Sequence, residues 1–524
     1  MPSLRPLVLA FGLLAPAPLA AQQREISLVV LVAVDQLRPD YFDTYGRQFT
    51  GGLRLLRDHA VLYTEGRQLH AVTETAPGHA TMLSGRVPAH TGIVTNDFGV
   101  GDPAAPVLGD PQAPGASPRR FRGTTLYDWM LARDPKARAL SVSRKDRGAI
   151  LPVGRARGQV YWFTGGRFST SRYYADTLPP WVGRFNARRS AERLAGTSWT
   201  LLLPDSAYPE RDDQPFETGG RDPVFPHRLP ARGEEAARRL SRYPWMDSLT
   251  IEFALEGVRQ VGLGRRGGPD LLSVGLSTTD DVGHTYGPDS RELHDHLLRL
   301  DRWLGHFLDS LATLVPRERT VVVLTSDHGV QALPERTRAN GGRADRVWLG
   351  DLAEAAGASL EARYGVDFGV SFDSGLLLAD TAALRARGVD VDSVAQALAR
   401  AAGRRPGVRR VFTPSTLRSA RADDAEATLW RNQFPADFAW LVAAVIEPGY
   451  VWSQRDRTIA QHGSTAPLDV AVPIAVLAPG LRPRRVTRPV RTVDIGPTLA
   501  ALLGIAPTEP VDGRVLGEVI GGGR

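Results

Sequence analysis

An α/β fold, with a central mostly parallel sheet, helices on both faces and inserted capping regions, is predicted by three features of this 524-residue sequence. Short β-branched apolar runs alternate with longer amphipathic segments, as layered strands and helices require. The apolar runs read as buried strands. Three of them end in aspartate within about four residues, and ligand sites in open α/β sheets lie beyond the carboxyl ends of the strands.

The elements follow in chain order. Residues 1–21 read as an export signal: Arg5 precedes the apolar run Leu7–Leu14, Pro16 and Pro18 break it, and Ala20-Ala21 lead into Gln22-Gln23. The apolar part is shorter than the roughly 20 residues of a bilayer span, and no later stretch is long enough. A periplasmic or secreted protein without a membrane anchor is expected. Ile26–Val34 is a strand ending at Asp35, and a helix is expected from near Thr75 through Met82. Gly99–Pro118 reads as a loop and Ser206–Arg232, with five prolines, as an excursion. Leu271–Leu276 is a strand followed by Asp280; Thr320–Leu324 is another, followed by Asp327 and His328. Between them, Leu293, Leu297, Leu300, Leu304, Phe307 and Leu311 keep helical spacing. Asp345–Arg455 has mixed content, with a helix-like segment at Asp392–Ala402. Val470–Leu477 is a fourth strand, and Asp494 is placed to cap a helix through Thr498–Leu503 that Gly504 stops. One domain, 22–524, is therefore expected, with insertions at about 99–235 and 345–455.

Composition removes several chemistries. With no cysteine there is no disulfide framework, thiol nucleophile, iron–sulfur cluster, Cys-ligated zinc or cysteine-derived formylglycine. Any metal site must use His, Asp, Glu and hydroxyls. The net charge of +7 does not point to nucleic acid, because arginine is spread evenly with no block longer than pairs such as Arg119-Arg120 and Arg484-Arg485. Of the 64 basic residues only Lys136 and Lys145 are lysine, which makes a lysine inside a motif informative.

His284 follows Asp280 by four residues, His328 directly follows Asp327, and His462 sits in Gln461-His462-Gly463-Ser464 before the fourth strand. Each lies beside or near a glycine, at or near a strand edge. With the strand-end residues Asp35, Asp280 and Asp327 they make six ligands, enough for two zinc ions with three protein ligands each and open positions for substrate. Two such metals can clamp the entering and leaving oxygens of a phosphoryl displacement. His294, His296 and His306 read as surface or packing residues of the helix, and His59, His70, His90 and His227 have no acid-rich setting. Thr75 supplies a hydroxyl at a helix start, where backbone N–H groups favour an anion; it needs a base or metal to activate it.

The segments Val34-Asp35-Gln36, Thr75-Ala76-Pro77-Gly78-His79-Ala80, Ile93–Asp97, Ser143–Ile150, Asp280–His284, Ser326-Asp327-His328-Gly329 and Gln461–Ser464 together resemble the alkaline phosphatase superfamily. The branch they resemble is the threonine-nucleophile, phosphate-irrepressible alkaline phosphatases, related to type I phosphodiesterases/nucleotide pyrophosphatases. The resemblance spans about residues 26–505. It implies an alkaline phosphatase-like fold and a phosphomonoesterase that hydrolyses small-molecule phosphate esters through a covalent phosphothreonine on Thr75. It also implies two Zn²⁺ per chain: one held by Asp280, His284 and His462, the other by Asp35, Asp327, His328 and the Thr75 oxygen. Asn96, Lys145 and Arg147 would contact the phosphate oxygens, three donors suited to a doubly charged group. Phe98-Gly99-Val100 stands where the branch usually shows a tryptophan and an acid. The same resemblance admits a phosphodiesterase or nucleotide pyrophosphatase, which generally lacks the Lys-x-Arg motif, and a phosphonate hydrolase. A degenerate secreted binding protein would be expected to have lost a ligand, and all seven metal positions are filled.

Overall fold

The computed structural model describes residues 26–453 and 460–521; the expected export signal lies outside the described residues. In chain order, the first seven strands of the central sheet are β1 (Leu28–Val34), β2 (Val61–Arg67), β3 (Ala139–Ser143), β4 (Gln159–Thr164), β5 (Arg167–Ser169), β6 (Asp270–Leu276) and β7 (Thr320–Thr325). A second, antiparallel sheet follows: β8 (Ser371–Asp373), β9 (Leu376–Leu378), β10 (Val408–Phe412) and β11 (Val442–Ile446). The chain then returns to the central sheet with β12 (Ala471–Leu477), β13 (Arg484–Val486) and β14 (Val490–Arg491). The central order is β13-β2-β12-β7-β1-β6-β3-β4-β5, with β14 also beside β2.

The middle of this sheet, β7-β1-β6-β3-β4, is parallel. β12 runs antiparallel to both neighbours, β2 and β7. The segment from 99 to 235 is not wholly an insertion, because β3, β4 and β5 lie within it and join the central sheet. Their shortness, and the loop-rich composition around them, hide them in the sequence. The unit carrying β8–β11 has its own buried core, including Leu377, Leu384, Leu398 and Val442.

Why β1 is apolar throughout is visible in its packing. Val30, Val32 and Val34 enter one core and Val29, Leu31 and Ala33 the other, so both faces are covered and alternation would expose nothing useful. Helices that position the site are α1 (Thr75–Ser84), α2 (Asp146–Ile150), α3 (Thr278–Tyr286) and α4 (Arg291–Leu314); α5 (Val391–Ala402) belongs to the second sheet and α6 (Ile495–Leu502) lies near the C-terminus. α4 starts where the Ser290 hydroxyl accepts from Leu293 N–H. It buries all six residues of the predicted stripe against the first core, each worth about 1.5–3 kcal/mol relative to exposure. α6 has a different start from the one expected. Asp494 does not cap it with its side chain; the carboxylate instead accepts from Arg491 N and Arg514 N and pairs with the Arg491 guanidinium.

Candidate active site

The parallel strands bring their three terminal acids to one edge of the sheet. β1 ends and the backbone reverses sharply at Gln36, which sits in the left-handed region at φ 65°. That turn lets Gln36 N–H donate to Asp327 Oδ1 at 3.1 Å while its side-chain amide donates to Asp280 Oδ1 at 2.7 Å. One residue thus ties the acid after β7 to the acid at the start of α3. His462 reaches the same edge for a different reason. β12 is antiparallel, so the residues preceding it, not those following it, lie beside the carboxyl ends of the parallel strands.

Each histidine is oriented by a backbone carbonyl. His284 Nδ1 donates to Ala460 O at 2.6 Å, His328 Nδ1 to Gly329 O at 3.0 Å, and His462 Nδ1 to Thr73 O at 2.8 Å. A carbonyl only accepts, so Nδ1 carries the proton and each Nε2 presents a lone pair. The three Nε2 atoms converge. His462 Nε2 lies 3.2 Å from His284 Nε2 and 3.5 Å from Asp280 Oδ1, and His284 Nε2 is 3.2 Å from Asp280 Oδ1. The His328 ring stacks on His462 at 3.6 Å, with its Nε2 3.5 Å from both Asp35 and Asp327.

Among the described residues, two overlapping groups of donors could hold a cation. Asp280, His328 and His462 form one convergent group, and Asp35, Asp327 and His328 a second, with ligand atoms within 4.8 Å of one another in each. Asp35 Oδ1, Asp327 Oδ2 and His328 Nε2 are buried without a hydrogen-bond partner, a costly arrangement unless a cation compensates it. Nitrogen and carboxylate donors without thiolate, with carbonyl-oriented imidazoles, are what zinc takes in catalytic sites.

Electrostatics separate the acids. Burial, reinforced by Asp327 and opposed by Lys145, pushes Asp35 up to about 6. Burial acts the same way on Asp280, but His284 and Lys145 outweigh it and hold that carboxyl well below its usual range. Lys145 is the charge between them. Its Nζ lies 2.5 Å from Asp35, 2.6 Å from Asp280 and 3.2 Å from the Thr75 hydroxyl. Burial disfavours the ammonium, yet Asp280 and Asp35 more than compensate and raise its pKa.

Thr75 is the first residue of α1, beneath Lys145 Nζ. Asn96 accepts Ala76 N–H on its amide oxygen at 3.0 Å, which fixes its NH₂ as the outward end. α1 presses directly on the acid cluster at Gly78, where a Cβ would come within 2.1 Å of Asp327 O. Arg147 lies at the margin, on α2, with its guanidinium 3.4 Å from Asp146 and partly exposed.

Three further residues belong to this geometry. Gln36 is described above. His79 Nδ1 lies 3.0 Å from Thr75 O and 3.3 Å from Asp327; burial lowers its pKa, but Asp327 wins and raises it. Glu74 accepts Asn96 N–H at 2.7 Å. All three directly adjoin or share a motif with a predicted residue, and that adjacency was the signal available. One expectation about the histidines changes, that for His227, while the packing reading holds for His294 and His296. His227 does have an acid-rich setting, between Glu292 at 2.9 Å and Asp222 at 3.3 Å, because its partners come from distant segments. His294 and His296 are fully buried and hydrogen-bonded, to Gln48 and Glu210 and to Thr279 respectively.

Residues 29–451 match the family model described as type I phosphodiesterase/nucleotide pyrophosphatase. The chain is 32% identical to alkaline phosphatase PhoK of a Sphingomonas species over 529 residues, which cover 94% of this chain and 91% of that protein. It is 28% identical to alkaline phosphatase PafA of Elizabethkingia meningoseptica over 526 residues, 94% of each chain. The crystal structure of alkaline phosphatase PafA superposes with a TM-score of 0.87 at 26% identity, covering 95% of this chain and 99% of that one.

Proposed function

This chain belongs to the type I phosphodiesterase/nucleotide pyrophosphatase family, within the alkaline phosphatase superfamily, and from that premise we propose that it is a secreted alkaline phosphatase. It hydrolyses small-molecule phosphate monoesters through a phosphothreonine on Thr75, with two zinc ions as cofactors. Among the described residues no helix is long and apolar enough to cross a membrane.

Bound zinc would supply Lewis-acid charge opposite the attacking and leaving oxygens. Asp280, His284 and His462 would hold one ion; Asp35, Asp327, His328 and the Thr75 oxygen the other. The remaining work falls to the chain. Lys145 stays charged and donates to Thr75 Oγ1, which favours the alkoxide over the alcohol and so activates a weak nucleophile. That oxygen, its proton passed to solvent, forms the new P–O bond as the bond from phosphorus to the ester oxygen breaks on the opposite side, and the leaving alkoxide takes a proton from water. Water then attacks the same phosphorus, the bond from Thr75 Oγ1 to phosphorus breaks, Thr75 Oγ1 regains a proton from that water, and inorganic phosphate is released. Asn96 NH₂, Lys145 and Arg147 match the outer phosphate oxygens as charge builds on them.

The observation that carries the monoester reading is Lys145: a buried, charged ammonium 3.2 Å from the Thr75 oxygen. A monoester dianion brings one more negative charge than a diester, and a fixed interior cation matches it. The diesterase reading has one specific support besides the family description, namely that Arg147 is engaged with Asp146. Rates on an aryl phosphate monoester and an alkyl aryl diester with the same leaving group decide between them. A higher kcat/KM on the diester would reverse the assignment.

A further inference from the structure

Ser374 and Gly375 form the two-residue turn between β8 and β9, and both have positive φ, 44° and 85°. A hairpin turn with two left-handed residues favours Asn or Asp before Gly. Serine in the first position is a local conflict, since a non-glycine residue there carries backbone strain. The turn is not at the surface of an isolated unit. The Ser374 hydroxyl donates to Glu74 Oε1, and the other oxygen of the same carboxylate accepts Asn96 N–H at 2.7 Å. Asn96 in turn accepts Ala76 N–H on its side-chain oxygen at 3.0 Å. A chain of three hydrogen bonds therefore runs from the tip of the second sheet to the first turn of α1. Glu74, the middle link, is buried and immediately precedes Thr75.

We propose that Ser374 is a positioning residue for phosphate binding: through Glu74 it fixes the Asn96 loop, and so aims the Asn96 amide at the phosphoryl group. The inference rests on the reading that Asn96 contacts phosphate. It assigns a purpose to the strained turn, which gives up the favoured Asn-Gly or Gly-Gly chemistry to keep a hydroxyl at that point. It also makes the unit carrying β8–β11 part of the catalytic apparatus and not only a cover.

Ser374→Gly removes the hydroxyl while relieving the strained φ. In the zinc-loaded enzyme its melting temperature should equal or exceed that of the wild type. Its kcat/KM for a phosphate monoester should fall about tenfold, the lower end of losses seen when a residue orienting a site ligand is removed, and its inhibition constant for inorganic phosphate should rise in parallel. Asn96→Ala should cost at least as much, and Ser374→Gly added to Asn96→Ala should cost little more. Additive losses in that cycle would overturn the coupling while leaving the Asn96 reading intact. An Asn96→Ala variant as active as the wild type would overturn that reading, and this inference with it. Glu74→Gln, which can still accept from Asn96 and meet Ser374, should retain most activity where Glu74→Ala does not; equal losses would refute the hydrogen-bond chain.

Discussion

Lys145→Ala is the sharpest test of the proposed chemistry, because the residue touches three functional groups at once. Its Nζ sits 2.5 Å from Asp35, 2.6 Å from Asp280 and 3.2 Å from Thr75 Oγ1, with only 4% of the side chain exposed. Two costs follow. Removing one partner of a buried ion pair leaves an uncompensated charge, worth about 3–5 kcal/mol, so the metal-free variant should be markedly less stable than metal-free wild type. In catalysis, losing a donor to developing charge costs about 2.7–4 kcal/mol, or roughly 10²–10³ in kcat. Arg147→Ala should lose less: its side chain is 29% exposed and already paired with Asp146, so solvent screens it. The assay is kcat/KM for monoester and diester substrates of one leaving group, on variants whose metal content has been measured. Lys145→Ala should lower both rates, since Thr75 loses its donor, but should depress the monoester rate further by the lost charge match, and Lys145→Ala with Arg147→Ala should widen the difference. Equal losses on both substrates, or an Arg147 effect larger than that of Lys145, would refute the charge-matching argument.

Thr75→Ala should lose orders of magnitude in turnover while keeping its metals, and Thr75→Ser should keep part of the activity; phosphate trapped reproducibly on another residue would rule out the proposed nucleophile. Chelation should abolish activity and zinc should restore it, while His462→Ala should weaken one of two metal stoichiometries in elemental analysis; full activity in metal-free protein would contradict this. Glu217 gives a pH prediction of its own. Burial, with Glu292 adding to it, pushes its carboxyl from 4.5 up to about 9, so the folded chain keeps it neutral while the unfolded chain ionises it. Its contribution to stability is complete below the unfolded value and is lost as pH rises toward the folded one. Glu217→Gln should therefore flatten the fall in melting temperature between about pH 4.5 and 9, and an unchanged slope would show that Glu217 is not the titrating group.

The strands were legible where burial on both faces made them continuously apolar, as in β1, β6 and β7. β5, three residues long at the sheet edge, offers no such run. Periodicity also carries no direction, so nothing in Ala471–Leu477 announces that β12 runs antiparallel. The metal-ligand candidates were legible because strand-end acids and glycine-flanked histidines are local features. What was not legible depends on distant partners. His79 is defined by Asp327, His227 by Glu292, and Asp494 by Arg514 as much as by Arg491. Ser374 shows the same limit: nothing in the sequence around it points to Glu74, 300 residues earlier.

The tripeptide Thr73-Glu74-Thr75 explains why the proposed nucleophile and the candidate metal ligands share one geometry. Thr73 O accepts from His462 Nδ1, and its hydroxyl donates to Ser464 O while accepting from Gly463 N–H. Glu74 holds the Asn96 backbone and the Ser374 turn. Thr75 begins α1 and meets Lys145, while its carbonyl faces His79 and, through it, Asp327. Three consecutive residues thus reach the loop carrying a proposed metal ligand, the amide proposed to face phosphate and the proposed attacking oxygen. Adjacent residues of a chain are held at a fixed spacing of 3.8 Å between Cα atoms, so these groups cannot drift apart independently. Any shift of this short segment moves the histidine's anchor, the amide's support and the nucleophile together. A site assembled from strand ends hundreds of residues apart therefore takes its registration from one short stretch just before a helix.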